Sequence, residues 1–167
     1  RSPVAFFQNL AKQGLDWSKV TITLADERWV PVEHADSNAG LLKKHLLQGP
    51  AAKARFLSLY SATANLEEAA EQADRLLAEL PAIDVLVLGM GDDGHTASLF
   101  PQGRELAEGL RSDALTIAAT PPAAPHQRLS LTANAILQSR HIFLQIGGPA
   151  KKAVYDRALA GGPVEEL

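Results

Sequence analysis

Four short apolar runs place the strongest constraint on how this chain folds. They are rich in β-branched residues, do not alternate between apolar and polar side chains, and cover residues 20–25, 83–88, 115–119 and 141–146. A continuous apolar pattern is typical of strands that are covered on both faces, as in parallel sheets. The runs therefore predict four strands of a parallel sheet.

Helical patterns occupy the intervals between these strands. The clearest helix is predicted over Leu66 to Leu80, where apolar residues recur on one face of a helix with 3.6 residues per turn. Asn65, with Glu68 three positions later, matches the N-terminal capping pattern, and Pro81 ends the segment. Weaker helices are predicted after Ser2, with Pro3 at the first position, and over residues 37–47, 132–137 and 150–159. Strands that alternate with helices predict a layered α/β fold.

The composition excludes several classes of protein. The chain has 167 residues without a repeat or a long linker, so we predict a single domain over residues 1–167. The net charge is −3 and basic tracts are absent, which argues against nucleic acid, and no apolar run approaches the roughly 20 residues that cross a bilayer. The absence of cysteine excludes disulfides and thiolate metal ligands. We expect a cytoplasmic protein with neither a nucleic-acid nor a membrane partner.

Charged residues follow the first predicted strand, at the end of the sheet where ligands bind in α/β folds. Asp26 and Glu27 precede Arg28, and shortly afterwards come His34, Asp36, Ser37 and Asn38. A carboxylate pair beside an arginine offers a general base or hydroxyl acceptor and a clamp for an oxyanion or phosphate. A solvated turn with a surface ion pair explains the same residues equally well, so both interpretations stay open.

The second predicted strand leads into a glycine-rich loop over residues 89–101. The loop contains the pattern G-x-G-x-x-G, which is typical of dinucleotide-binding turns. Asp92 and Asp93 lie between its second and third glycines, where two carboxylates would repel a pyrophosphate. Asp113, the candidate for a ribose contact, precedes the next strand instead of following it. The loop therefore argues against a nucleotide cofactor.

The same loop places a carboxylate, Asp93, two residues before an imidazole, His95. Histidine accepts a proton from water near neutral pH, and a neighbouring carboxylate orients it, so the pair is a candidate general base. The alternative is a histidine at a helix start with Asp93 in an Asx turn. Ser98 lacks the G-x-S-x-G spacing of a nucleophile, and Asp92, Asp93 and His95 lack the spacing of a zinc site. We expect neither a metal nor a cofactor.

Two further basic residues lie beside predicted strands. Arg128 leads the segment Leu129 to Thr132, and Lys151 follows a Gly147-Gly148 turn that opens a helix. A glycine turn that opens a helix, with a lysine in the first helical turn, places backbone amides and a cation where an anion would bind. Arg128 is also consistent with a surface strand residue and Lys151 with a solvated helix start, so neither residue alone indicates a binding site. Together with Arg28 they favour a small phosphorylated ligand.

These segments resemble the glucosamine-6-phosphate isomerase/6-phosphogluconolactonase family over essentially the whole chain. The motifs that carry the resemblance are Asp26 to Arg28 with Asp36 to Asn38, Leu88 to Pro101, Arg128 to Thr132, and Gly148 to Lys151. The second of them is highly specific. The resemblance implies a three-layer, Rossmann-like α/β fold with a mostly parallel central sheet, of the glucosamine-6-phosphate deaminase type. It implies hydrolysis of 6-phosphogluconolactone to 6-phosphogluconate by a monomer or small homo-oligomer.

The resemblance also implies roles for individual residues. His95 would take a proton from the attacking water while Asp93 orients it, and backbone amides of residues 89–94, Gly91 among them, would meet the oxyanion. The phosphate and neighbouring hydroxyls of a sugar-phosphate lactone would contact Arg28, Arg128 and Lys151, with Asp26 facing the sugar. Ser2 would be what remains of the family's glycine-rich phosphate loop.

The related deaminases are the main alternative. Their loop continues to Phe-Asn-Glu-Pro, whose glutamate assists ring opening, whereas this chain has Ser98-Leu99-Phe100-Pro101 and no carboxylate there. A non-catalytic sugar-phosphate sensor of the same fold is a second alternative, although a sensor would lose the base that His95 provides. The chain opens with Arg1-Ser2-Pro3 and ends at Glu165-Glu166-Leu167, so it is expected to be a fragment without the family's N-terminal strand, phosphate loop and C-terminal closing segment.

Overall fold

The structure, a computed structural model, describes residues 3–162. The helices are α1 (Val4–Leu10), α2 (Asn38–His45), α3 (Leu66–Ala78), α4 (Leu106–Arg111), α5 (Ala133–Leu137) and α6 (Pro149–Leu159). The strands are β1 (Thr21–Ile22), β2 (Asp26–Arg28), β3 (Arg55–Phe56), β4 (Val85–Leu88), β5 (Thr116–Ala119), β6 (Arg128–Leu131) and β7 (His141–Leu144). Two 3-10 helices cover Trp17–Lys19 and Gly49–Lys53. Each of the four apolar runs contains a strand, as predicted.

Two strand pairs are parallel and a third group is antiparallel. β1 pairs with β3, and β4 pairs with β7, both in parallel. β6 lies between β2 and β5 and is antiparallel to both. The prediction that the run at residues 115–119 belongs to a parallel sheet was therefore wrong. The connection over residues 120–127 explains the difference, since a parallel pair needs a crossover of about a dozen residues or more.

Burial explains why the sequence pattern did not show the direction of β5. Thr116, Ile117 and Ala119 are buried, and α3 packs on this strand. Thr116 Oγ1 donates to the carbonyl oxygen of Ala70 at 2.8 Å, and Asp74 Oδ1 accepts from the amides of Leu115 and Thr116. A covered strand has a continuous apolar pattern whether its neighbour runs parallel or antiparallel, so the pattern predicted the strand and not its direction.

Helix α3 confirms the clearest helical prediction. The side chain of Asn65 accepts from the amide of Glu68 at 2.8 Å, which is the predicted N-terminal cap. Its buried residues are all apolar and lie on one face, and they are Leu66, Ala69, Ala70, Ala73 and Leu77. The helix ends at Ala78, two residues before the predicted end.

The core lies under the strands that carry the candidate site. Leu129 and Leu131 of β6 are fully buried, and they join α3, α2 and α5 in one apolar cluster. Their neighbours in β6, Arg128 and Ser130, are buried as well. Within residues 3–162, no helix is both long and apolar enough to cross a membrane.

Candidate active site

The loop after β4 brings Asp93 and His95 together as predicted. Asp93 Oδ1 lies 2.6 Å from His95 Nδ1 and also accepts from the His95 amide at 3.3 Å. A carboxylate at this distance holds the proton on Nδ1, so Nε2 presents a lone pair. Burial raises the pKa of Asp93, but the hydrogen bond and charge of His95 outweigh burial, and the pKa lies below its usual value. The His95 side chain is 31% exposed, which leaves room for water.

Gly91 is required by the position of this pair. A Cβ atom at Gly91 would collide with Asp93 Oδ1 and with the His95 ring. The Gly91 amide donates to the His95 carbonyl oxygen at 2.8 Å, and Gly94 has a φ of +94°, a conformation that favours glycine. The His95 ring packs against Phe100 with centroids 4.7 Å apart. The loop therefore closes tightly around the imidazole.

Lys151 meets the same loop from the first turn of α6. Its Nζ donates to the carbonyl oxygen of Met90 at 2.5 Å and lies 4.0 Å from Asp92 Oδ1. The side chain is 29% exposed. An ammonium group carries three protons to donate, so these contacts leave it able to bind a further acceptor. The structure thus places a cation beside the loop that carries the candidate base.

Arg28 and Arg128 form the second part of the site. They lie directly opposite each other in the antiparallel pair of β2 and β6. Like charges at such positions repel, and side chains directly opposite have Cβ atoms only about 5 Å apart. Arg128 is 8% exposed, and burial, followed by the charge of Arg28, lowers its pKa. The two guanidinium groups therefore repel each other, whereas the charges of Asp26, Glu27 and Asp36 stabilise the charged form of Arg128. An anion bound between the arginines would relieve their repulsion.

The hydrogen bonds of the two arginines are incomplete. Arg28 Nη1 donates to the carbonyl oxygen of Asp36 at 2.9 Å and to Asn38 Oδ1 at 2.5 Å. In the described part of the chain, Nε of Arg28 and Nε of Arg128 are buried without a hydrogen-bond partner. Unpaired buried donors are rare and unfavourable in folded proteins. They support an anion as the missing acceptor.

Asp26 connects the arginines to the loop over residues 89–101 that carries His95, called the base loop below. Its Oδ2 accepts from Ser98 Oγ at 2.7 Å and lies 3.9 Å from Arg128 Nη1, while its Oδ1 accepts from Asn38 Nδ2 at 3.2 Å. The amide of Ser98 donates to Ser130 Oγ at 3.0 Å. Ser98 is three residues from His95, so Asp26 ties the base loop to β2 and β6. Ser98 acts here as a link, a role that its sequence spacing did not indicate.

Glu27 holds the loop that positions Arg28. It is fully buried, and its carboxylate accepts four hydrogen bonds, from the amides of Arg28, Asn38 and Ala39 and from the hydroxyl of Ser37. Burial raises its pKa, and these hydrogen bonds oppose the rise. A carboxylate enclosed in this way cannot reach a substrate. Of the two carboxylates considered as a base or acceptor, Glu27 is therefore structural.

The structure joins most of the predicted site residues in two linked groups. Asp93, His95, Gly91 and Lys151 form the first, and Arg28, Arg128 and Asp26 form the second. Ser2 lies outside the described residues. Sequence reasoning missed the roles of Asn38 and Ser98; the Ser37-Asn38 pair at the start of a helix was the available signal for the first, whereas no local pattern indicated the second.

Known proteins resemble this chain over all or nearly all of its length. Residues 1–167 match the family model described as glucosamine-6-phosphate isomerases/6-phosphogluconolactonase. The 6-phosphogluconolactonase of Pseudomonas putida is 56% identical over 169 residues, which cover 100% of this chain and 70% of that protein. That of Pseudomonas aeruginosa is 55% identical over 163 residues, covering 96% of this chain and 68% of that protein. A crystal structure of a 6-phosphogluconolactonase from Shewanella baltica has a TM-score of 0.96 and 43% identity, and covers 100% of this chain and 72% of that one.

Proposed function

Because the chain belongs to the glucosamine-6-phosphate isomerase/6-phosphogluconolactonase family, we propose that it hydrolyses 6-phospho-D-glucono-1,5-lactone to 6-phosphogluconate. This reaction is the second step of the oxidative pentose phosphate pathway. Family membership also confirms the expected Rossmann-like α/β class. The structural observation that carries the proposal is the Asp93–His95 pair, a partly exposed candidate base in a loop that Lys151 contacts.

In the proposed mechanism His95 activates water. Nε2 takes a proton as the water oxygen bonds to the lactone carbonyl carbon, while the hydrogen bond to Asp93 stabilises the imidazolium that forms. The tetrahedral intermediate then expels the ring oxygen, which receives the proton back from Nε2. Backbone amides of the loop would stabilise the oxyanion. The Gly91 amide is bonded to the His95 carbonyl, so Gly91 contributes chiefly by leaving space for the imidazole.

The arginine pair is proposed as the anchor for the phosphate. Arg28 and Arg128 present fork-shaped donors that match phosphate oxygens, and their unpaired Nε groups support this assignment. Lys151 would add a contact from the side of the base loop, to the phosphate or a hydroxyl group. Asp26 would face the sugar with the part of its carboxylate that Ser98 and Asn38 leave free. A phosphorylated sugar substrate fits a cytoplasmic enzyme, working as a monomer or small homo-oligomer.

The loop sequence disfavours the deaminase alternative. Ring opening and amine loss in the deaminases use a glutamate that this chain lacks at Ser98 to Pro101. Here Ser98 is buried and bonded to Asp26, so it offers no acid or base to a substrate. Opening a reactive lactone needs one base and an oxyanion site, and the Asp93–His95 pair is the candidate for the base.

The test is to measure hydrolysis of freshly prepared 6-phosphogluconolactone by the 167-residue chain against the spontaneous rate. We expect acceleration that scales with protein concentration and is lost in His95→Gln. The same preparation is to be incubated with glucosamine 6-phosphate and assayed for ammonia. Ammonia release without lactone hydrolysis would replace the proposed reaction with the deaminase reaction, and binding of 6-phosphogluconate without turnover would favour a sensor.

A further inference from the structure

A cluster of two histidines and one aspartate lies outside the catalytic pair. It consists of His34, Asp36 and His126, whose ligand atoms all lie within 4.8 Å of one another. His34 and Asp36 belong to the loop between β2 and α2, and His126 belongs to the connection between β5 and β6. The cluster therefore joins two segments that are 90 residues apart in the chain.

The distances place the three side chains around one carboxylate oxygen. Asp36 Oδ2 lies 3.0 Å from His126 Nε2 and 3.9 Å from His34 Nδ1. The two rings meet edge to face, with centroids 5.0 Å apart and planes at 78°. Ligand atoms that bind one tetrahedral zinc ion at about 2.0–2.1 Å are roughly 3.3 Å apart. Small side-chain rotations would bring all three donors to that separation.

The orientation of His34 supports ligation. The amide of Asp36 donates to His34 Nδ1 at 3.1 Å, so this nitrogen is an acceptor that faces the cluster, and an ion bound to it would take the place of the amide hydrogen. His126 supplies its outer nitrogen, Nε2, from a backbone with a φ of +70°. Both imidazoles thus present nitrogen atoms to the region of the Asp36 carboxylate.

We propose that His34, Asp36 and His126 bind a divalent transition-metal ion of the zinc type. Imidazole nitrogens select zinc, cobalt, nickel or copper ions over magnesium and calcium, which prefer oxygen ligands. Three protein ligands leave further coordination positions for water, and the side chains are 43%, 53% and 26% exposed, so an ion has a free path from solvent.

The surroundings predict moderate affinity. Arg28 donates to the Asp36 carbonyl oxygen, and this fixes the ligand loop but also places a positive charge nearby. The negative charges of Asp26 and Glu27 oppose the positive charges of the two arginines. An ion bound here would hold the two loops beside the arginine pair together. The proposal is independent of the proposed lactonase reaction, because it concerns binding alone.

Calorimetry with EDTA-treated and dialysed protein in phosphate-free buffer tests the site. Zinc chloride is titrated into the full chain, and cobalt chloride is followed in parallel by visible absorption. We expect one saturable zinc site per chain and far weaker binding of magnesium. His34→Gln and His126→Gln should each weaken zinc binding by at least about 10-fold, as loss of even an outer contact weakens metal sites by about 10–100-fold.

Two control variants locate the ion. His141→Gln changes an exposed histidine of β7 and should leave zinc binding unchanged, and His95→Gln removes the other Asp–His pair. Circular dichroism of each metal-free variant checks that it is folded. Loss of binding in His95→Gln with retention in His34→Gln and His126→Gln would place the ion at the catalytic pair and overturn the proposal. The absence of saturable binding up to about 1 mM zinc would overturn it as well.

Discussion

The two halves of the site are built in opposite ways. The arginine side rests on buried groups, since Glu27 is fully buried and Arg128 is 8% exposed within β6. The base side rests on a loop in which Asp93 is 55% and His95 is 31% exposed. On the first side, the register of the sheet sets the positions of the two arginines. On the second side, the conformation of the glycine-rich loop and one hydrogen bond set the positions of Asp93 and His95. Substitution of the buried Glu27 on the first side should therefore change stability, whereas substitution of His95 on the second should change turnover.

The largest expected effect is on the base side. His95→Gln removes the proton acceptor, so turnover of 6-phosphogluconolactone should fall by roughly 10²–10⁴-fold, the usual contribution of a general base. The midpoint of thermal unfolding should change little, because the side chain is partly exposed and its loop keeps its backbone bonds. Initial rates, corrected for spontaneous hydrolysis, measure the effect.

The matched control for this change is His141→Gln, which alters an exposed histidine on β7. It should turn over lactone at the wild-type rate. Near-normal turnover by His95→Gln would remove His95 from the mechanism. A large loss of stability in His95→Gln would contradict the contrast between the two halves.

On the arginine side, Glu27→Gln should reduce stability. An amide group in place of the carboxylate presents a donor where the Ala39 amide and the Ser37 hydroxyl now donate. Leaving one buried donor unpaired costs about 1–3 kcal/mol of unfolding free energy. For a domain of this size the unfolding midpoint should fall by about 2–4 °C per kcal/mol. Differential scanning calorimetry measures both quantities.

Glu33→Gln is the control for this substitution, because Glu33 is exposed in the loop between β2 and α2 that Glu27 holds. It should unfold at the wild-type temperature. Equal midpoints for Glu27→Gln and Glu33→Gln would show that the buried carboxylate does not stabilise the loop.

A smaller effect, on KM, is expected from Lys151, which is proposed to contact the same substrate as the arginine pair. Lys151→Met removes an ammonium group that contacts Met90 and approaches Asp92. If Lys151 binds the substrate equally in the ground and transition states, KM should rise roughly 10-fold, about 1.4 kcal/mol, with kcat nearly unchanged. Lys152→Met is the control, since Lys152 is exposed and pairs with Asp156 on the same helix. A fall in kcat at constant KM would assign Lys151 to the transition state instead.

The same contrast explains which parts of the site the sequence predicted. Asp93, Gly91 and His95 are close in sequence, so their juxtaposition follows from one glycine-rich turn and was predictable. The opposition of Arg28 and Arg128 arises from antiparallel pairing between two distant strands, β2 and β6, and neither of them lies in the four apolar runs. The link from Ser98 to Asp26 spans 72 residues and depends on that pairing. Local patterns thus predicted the strands of the four apolar runs, helix α3 and the candidate base, whereas the pairing of β2 with β6, which lie outside those runs, determined the candidate anion site.

The smallest effect concerns the pH dependence of stability on the base side. Burial raises the pKa of Asp93, but the hydrogen bond and charge of His95 together lower it by more, so its folded pKa lies below the reference value of 3.8. The folded state therefore binds fewer protons, and the stabilisation is present above pH 3.8 and disappears as the pH falls through the folded pKa.

Because Asp93 is 55% exposed, solvent screening keeps this contribution small. The difference in unfolding midpoint between the wild type and Asp93→Asn should accordingly narrow as the pH falls below 3.8. Asp92→Asn, at the exposed neighbouring position, should show no comparable narrowing. A difference that widens in acid would mean that the pair with His95 does not lower the pKa of Asp93, and that this carboxylate orients the base without being stabilised by it.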